Sequence, residues 1–282
     1  MKNIRIIPRL DIKGPNLVKG IHLEGLRVLG DPADFAKVYY EQGADEILYQ
    51  DTVASLYERN SLIDIITDTS KEIFIPLTVG GGIREMQDIQ DVLRAGADKV
   101  SINTASHRNP SFIDEASKFY GSSTIVIAIE CLKKEDGKYY AFTDNGREET
   151  YKEVFSWAKE VEQRGAGEIF LTSIDKEGTG EGFDLELIRE VTSIVDIPVV
   201  AHGGPSKYSH LSEVILDASA DAISFSSMLH YQTIGTLKRV KQGAEGNIEF
   251  LKSNKSFKNF ETYSLSEIKN KLYEEGFSVR PH

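Results

Sequence analysis

Short runs of apolar, often β-branched residues alternate along this chain with longer segments whose apolar positions recur at helical spacing. That alternation predicts βαβ units around a buried parallel sheet, because strands covered on both faces read as unbroken apolar runs. The predicted strands are 4–10, 46–50, 74–79, 99–102, 124–129, 168–171, 198–201 and 222–225, with helices between them. Asp31 followed by Pro32 has the form of an N-cap and a first helical position, and Asn109-Pro110 repeats the device. Eight strand–helix units in about 240 residues predict a single (β/α)8 barrel with an internal half-barrel repeat. A doubly wound open sheet is the runner-up, but it does not normally carry the same anion loop in both halves.

The repeat has a measurable register. Gly43 in Gln-Gly-Ala-Asp-Glu-Ile corresponds to Gly165 in Arg-Gly-Ala-Gly-Glu-Ile, Pro76 to Pro198 and Gly81 to Gly203, each pair 122 residues apart. In the first half, Leu77-Thr78-Val79 runs into Gly80-Gly81-Gly82, and the next strand ends on Asn103 and Thr104. Bare backbone N–H groups beside two short polar side chains form a cradle for an anion. The second half supplies Gly178, Gly203, Gly204, Ser226 and Ser227 at matching places. Two such cradles at one rim predict a ligand phosphorylated at both ends.

In a barrel of this kind the chemistry sits where the strands end. Asp11, Asp51, Glu130 and Asp175 are read there, with Asp11 and Glu130 at equivalent places in the two halves and facing each other across the mouth. Such a pair suits general acid and base on either side of a substrate, or else each carboxylate only caps a loop or helix. Residues 14–30 read as a long loop, a candidate lid, in which Lys19, or Lys13 before it, meets a phosphate or is simply solvated. Residues 139–146 read as one arm and the turn of a hairpin. His202, beside Gly203, is open between substrate contact and packing. The other histidines form no ligand-spaced pair, so neither a metal site nor any other cofactor is expected.

Composition narrows the partners. A net charge of -11 and a pI near 5.1 argue against nucleic-acid or anionic-membrane surfaces. The lone Cys131 excludes internal disulfides and suits a reducing compartment, and no run of about 20 apolar residues occurs. A cytoplasmic protein is expected.

Six segments taken together carry a resemblance to a known family: Arg5-Ile6-Ile7-Pro8-Arg9-Leu10-Asp11, Val18-Lys19-Gly20, Thr78 to Ile83, Gly96 to Ala105, Arg164 to Ile169 and Leu171 to Asp175. Over roughly residues 1–230 and the final helix, the chain resembles the cyclase subunit of imidazole glycerol phosphate synthase. The resemblance implies a barrel that takes ammonia from a glutaminase partner and closes an imidazole ring on a ribonucleotide bearing two phosphates, in histidine biosynthesis. It further implies that Asp11 and Glu130 are acid and base, and that Arg5, Glu46, Lys99 and Glu168, each at a strand start, form a charged ring through which ammonia enters. The glutaminase is then expected on that N-terminal face, with Asp98 among its contacts.

Three features depart from the family. Glu130 stands where an aspartate is usual, Arg9 replaces a small residue below the mouth, and a polar insertion at about 232–262 follows the eighth strand. The resemblance therefore leaves an alternative, a paralogous barrel that channels ammonia to a sugar amidotransferase in surface-polysaccharide or flagellar glycan synthesis, with weak or no cyclase activity. A single-chain isomerase relative is a third, against which the four ring residues speak.

Overall fold

The computed structural model describes residues 3–54, 62–236 and 260–281. Eight parallel strands close into a barrel: β1 (Arg5–Lys13), β4 (Ile47–Asp51), β5 (Leu77–Gly80), β6 (Lys99–Ile102), β7 (Ile125–Lys133), β10 (Glu168–Ser173), β11 (Val199–His202) and β12 (Ala222–Phe225). Each pairs with the next, β12 returns to β1, and the β7–β10 pairing leaves no open edge. The barrel and its inner repeat are those expected from the sequence, and the open-sheet alternative is excluded.

The numbering gaps are filled by two hairpins. β2 (Asn16–Ile21) and β3 (Glu24–Gly30) continue antiparallel from β1, and β8 (Tyr139–Thr143) and β9 (Glu148–Glu153) continue from β7. Residues 14–30 are thus paired backbone where an irregular loop was expected. The hairpins are themselves equivalent parts of the two halves. Their turns meet, with Asn145 Nδ2 donating to the Leu23 carbonyl at 3.2 Å, between residues again 122 apart.

Ten helices are described: α1 (Pro32–Glu41), α2 (Ile63–Thr69), α3 (Met86–Ala95), α4 (Thr104–Arg108), α5 (Ser111–Tyr120), α6 (Val154–Gln163), α7 (Leu185–Ile194), α8 (Tyr208–Ala218), α9 (Ser227–Thr236) and α10 (Leu265–Glu274). Asp31 does cap α1, its carboxylate accepting from the Ala33 amide at 2.9 Å with Pro32 next. The expected strand at 74–79 begins only at Leu77: Phe74 is 79% exposed, and Pro76 has no N–H to offer a neighbour. The expected insertion falls mostly on residues 237–259, outside those described; 232–236 continue α9.

Strand alternation divides the core in two. Outward residues such as Ile6, Leu10, Val79, Val100, Ile127 and Leu171 pack under the helices. Inward residues Ile7, Leu48, Val126, Phe170, Val200 and Ala222 make a separate apolar layer inside the barrel. That layer separates a charged floor from a polar mouth. Before three strands, a Gly-Ala-Asp or Ala-Asp sequence sets the spacing. Asp45, Asp98 and Asp221 each accept an amide from the start of a neighbouring strand, that of Ile6, Leu77 or Val199, at 2.8–2.9 Å.

Candidate functional site

On β1 the inward positions are Arg5, Ile7, Arg9 and Asp11; on β7 they are Val126, Ala128 and Glu130. Alternation therefore delivers Asp11 and Glu130 to the same end of the barrel from opposite sides. Neither ends its strand as the sequence suggested. The hairpins extend β1 and β7 beyond them, with Asp11 opposite Val18 and Glu130 opposite Phe142. Both are almost wholly buried.

Their surroundings differ in kind. Asp11 Oδ1 accepts from Arg9 Nε at 2.7 Å, and Arg9 is itself buried, its guanidinium carbon 5.8 Å from the centre of the Phe170 ring. Burial alone disfavours the Asp11 anion, but the adjacent Arg9 charge, helped by Lys19, outweighs it and holds the carboxyl below its ordinary range. Glu130 has only neutral donors, Asn103 Nδ2 at 3.1 Å and the Gly146 amide. Burial then dominates, and its carboxyl is pushed up to about 7 despite a long-range pull from Arg9. One member of the pair is an anion at neutral pH and the other is poised to hold a proton. Two carboxyls driven apart by their environments are the arrangement acid–base chemistry uses.

The residues of the first expected cradle line an open cavity. A cavity of about 780 Å³ is lined by Gly81, Gly82, Asn103, Thr104, Asp51 and Glu130, among others. Gly81 has φ +92, and an added Cβ would lie 2.4 Å from the Asp51 carbonyl oxygen, so the close turn requires glycine. The side chains of Asn103 and Thr104 do not point to a free anion as expected. Asn103 bonds Glu130 and the Phe142 carbonyl, and Thr104 engages Asp144. Both residues, at the start of α4, line the cavity.

The second cradle is partly used up by the fold. The Gly204 amide donates to the Gly182 carbonyl at 3.1 Å, and the Gly204 carbonyl accepts from the Gly182 amide at 2.9 Å. Ser226 Oγ donates to the Arg9 carbonyl at 2.9 Å. Gly178 has φ +74, and a Cβ there would lie 2.8 Å from the Gly20 carbonyl oxygen, so it is a packing glycine under β2. Gly203 and Ser227, the first residue of α9, stay at the rim. The bond to Gly182 removes Gly204 as an expected anion donor.

Lys19 is equally altered. It lies on β2, 4% exposed, and pairs with Glu177, whose other carboxylate oxygen accepts from the Leu23 amide at 3.1 Å. The expected lid is a hairpin latched to the loop after β10. Glu177 was not singled out in the sequence, although it sits between the strand-end Asp175 and the turn glycines Gly178 and Gly180. Lys13 is exposed at the end of β1. His202 is buried, its Nδ1 at 3.0 Å from the Ser224 carbonyl and its ring 5.5 Å from that of Phe170; burial, with Arg9 nearby, keeps it neutral.

At the opposite end the charged ring closes. Arg5 bonds Glu46 at 3.1 Å and also Glu168; Lys99 bonds Glu46 at 2.8 Å and Glu168 at 3.1 Å; Thr78 donates to Glu46. Each charge has two opposite partners, which is what buried ions require. Asp98 is exposed on this face beside the start of β5. Among the described residues, no three of His, Cys, Asp and Glu form a metal-binding group, and no helix is long and apolar enough to cross a membrane.

A family model described as histidine biosynthesis protein matches residues 5–235. The chain is 56% identical over 207 residues to the imidazole glycerol phosphate synthase subunit HisF of Legionella pneumophila, covering 73% of this chain and 98% of that protein. It is 43% identical over 238 residues to the subunit of the same name from Alkaliphilus metalliredigens (strain QYMF), covering 84% and 94%. With that of Clostridium botulinum (strain Okra / Type B1) it shares 41% over 277 residues, covering 98% of each.

Proposed function

Because the chain belongs to the histidine biosynthesis protein family, matched over residues 5–235, we propose that it is the cyclase subunit of an imidazole glycerol phosphate synthase. It condenses ammonia with a bis-phosphorylated ribonucleotide, closes the imidazole ring and releases a carboxamide ribonucleotide. The observation that carries this reading is the pair of facing, oppositely tuned carboxyls at the barrel mouth.

In that reaction Asp11 is the proton acceptor, because the Arg9 charge keeps it ionised. Glu130, held by Asn103 and protonated up to about pH 7, is the proton donor. One phosphate of the substrate rests on the Gly81-Gly82 turn and the backbone of Asn103 and Thr104; the other rests on Gly203 and the Ser226–Ser227 backbone at the first turn of α9, whose N–H groups lack helical partners. The β2–β3 hairpin with Lys19 closes over the ligand and excludes water.

Ammonia comes from a glutaminase subunit on the opposite face, near Asp98, and enters through the ring of Arg5, Glu46, Lys99 and Glu168. The ring has no net charge, which favours a neutral passenger over a charged one. The whole chain acts as one barrel domain.

The test is turnover. The chain, supplied with ammonium salts and the bis-phosphorylated ribonucleotide, is expected to change the ribonucleotide's absorbance as the ring closes, and with a glutaminase subunit to do so from glutamine. No turnover from either nitrogen source would refute the reading and favour a barrel that only passes ammonia to a sugar amidotransferase.

A further inference from the structure

The two carboxyls at the mouth are attached to equivalent strands of a doubled fold, yet they behave differently, and the difference needs a cause. Their burial is alike, so burial alone does not separate them. The neighbours do. From β1 comes Arg9, from β2 Lys19, from the loop after β10 Glu177, from β11 the neutral His202, from the turn after β8 Asp144, and from just past β6 the uncharged Asn103. Lys19 is committed to Glu177, a buried partner, so its charge is largely spent there. Arg9 is the cation bonded to a carboxyl of the pair.

The guanidinium is placed unevenly between the two acids. Nε is 2.7 Å from Asp11 Oδ1, while Nη2 is buried and makes no hydrogen bond, to Glu130 or to anything else described. The guanidinium stands over the Phe170 ring, 5.8 Å from its centre, and the backbone that carries it is held by Ser226 Oγ, which donates to the Arg9 carbonyl. The cation thus hydrogen-bonds Asp11 and acts on Glu130 only through its longer-range charge.

We infer that Arg9 is the positioning residue that divides the labour between the carboxyls: bonded to Asp11 alone, it makes Asp11 the proton acceptor and leaves Glu130 as the donor. This rests on the cyclase reading of the mouth. It explains how the longer Glu130 works at a place opposite an aspartate: a residue meant to carry a proton needs distance from the cation, and its extra methylene lets it reach the neutral Asn103 amide instead. The chemistry thereby acquires a direction across a nearly symmetric barrel.

The experiment is the pH dependence of ammonia-driven turnover by the full chain, with free ammonia held constant, for wild type, Arg9→Met and Arg9→Lys. Wild type is expected to lose activity on the alkaline side near pH 7, as Glu130 ionises, and on the acid side below the ordinary carboxylate range, as Asp11 is protonated. Arg9→Met is expected to move both limbs upward, the acid limb by about one pH unit or more, which is about a tenfold loss at a fixed pH on that limb. Arg9→Lys, which keeps the charge, is expected to restore most of the acid limb. A uniform loss of rate with an unmoved profile in Arg9→Met would overturn the inference.

A second readout needs no turnover. Carbon-13 signals of the Asp11 and Glu130 carboxyls, assigned through Asp11→Asn and Glu130→Gln, are titrated in wild type and Arg9→Met. Asp11 is expected to titrate well below Glu130 in wild type and to rise toward it without Arg9. If Arg9→Met does not fold, Arg9→Gln, which keeps a donor but no charge, takes its place. An Asp11 midpoint unmoved by losing the charge overturns the inference even when turnover is absent; absent turnover with a moved midpoint refutes only the cyclase reading.

Discussion

Replacing Glu177 by Gln is expected to unlatch the β2–β3 hairpin from the mouth. The substitution keeps the shape and the acceptor for the Leu23 amide, but leaves the 4%-exposed Lys19 ammonium without its carboxylate. Stranding one partner of a buried ion pair costs ~3–5 kcal/mol. Against that stand the anchors of the hairpin tip. Leu23 is buried with Phe142 and Ile174, worth ~1.5–3 kcal/mol. Three hydrogen bonds add about 1 kcal/mol each: His22 Nδ1 with the Ile174 carbonyl at 2.8 Å, the His22 amide to the Glu177 carbonyl at 3.0 Å, and Asn145 Nδ2 to the Leu23 carbonyl at 3.2 Å. The penalty cancels most of this anchoring, so the open hairpin gains population by orders of magnitude while the closed one stays favoured. Amide exchange at residues 19–24 is therefore expected to speed up about tenfold or more, with exchange in β10 and β11 unchanged. Adding Lys19→Met removes the stranded charge and is expected to restore protection. Exchange at the tip within twofold of wild type in Glu177→Gln would refute the reasoning.

Three other substitutions probe separate parts of the fold. Lys99→Met leaves Arg5 as the one ring cation for Glu46 and Glu168; because Arg5, and Thr78 on Glu46, remain as partners, a loss of ~1–3 kcal/mol is expected in urea unfolding, and no loss would show that the ring is not a stabilising unit. Gly81→Ala forces a side chain into a positive-φ turn against the Asp51 carbonyl and is expected to cost ~2–4 kcal/mol and weaken phosphate binding; sulfate protection against heat unchanged from wild type would count against the first cradle. The third concerns pH. The Glu130 carboxyl is raised to about 7 in the folded chain, so the fold prefers the protonated acid; its burden is absent below the ordinary carboxyl value, grows as pH rises toward 7 and is complete above it. Glu130→Gln is thus expected to gain stability relative to wild type between pH 5 and pH 8, on the order of 3 kcal/mol, in parallel unfolding titrations. Equal curves at the two pH values would contradict the burial argument.

The barrel was legible because buried parallel strands leave a plain trace. The runs at 99–102 and 222–225 match β6 and β12 residue for residue, and the 122-residue register is a backbone fact visible as glycines and prolines. The two hairpins show where legibility stops. Tyr139 to Thr143 followed by Asp144-Asn145-Gly146 has both strand and turn residues. The β2–β3 turn falls on His22 and Leu23, at φ 51 and 62, positions that residues of those types rarely occupy, so nothing in the sequence marks it. The positions of Asp11 and Glu130 followed from the strand period, but their unequal character did not, because it depends on which donors of other strands reach them. Arg9 was visible as a cation near Asp11, whereas the neutral clamp of Asn103 on Glu130 was not. Gly204 was misread for a related reason: a glycine with a bare amide invites an anion in the sequence, but in the fold the Gly182 carbonyl takes that amide first.

The acid–base pair is tested most directly by single-turnover measurements on Asp11→Asn and Glu130→Gln with saturating ammonia and bis-phosphorylated ribonucleotide. Removing one proton-transfer group is expected to slow ring closure about 100-fold or more in each variant, while ribonucleotide affinity, carried by the phosphate cradles, stays within a few-fold of wild type. Ring closure at the wild-type rate in either variant, or loss of binding in place of loss of rate, would contradict the assignment of the barrel mouth as the site of acid–base chemistry.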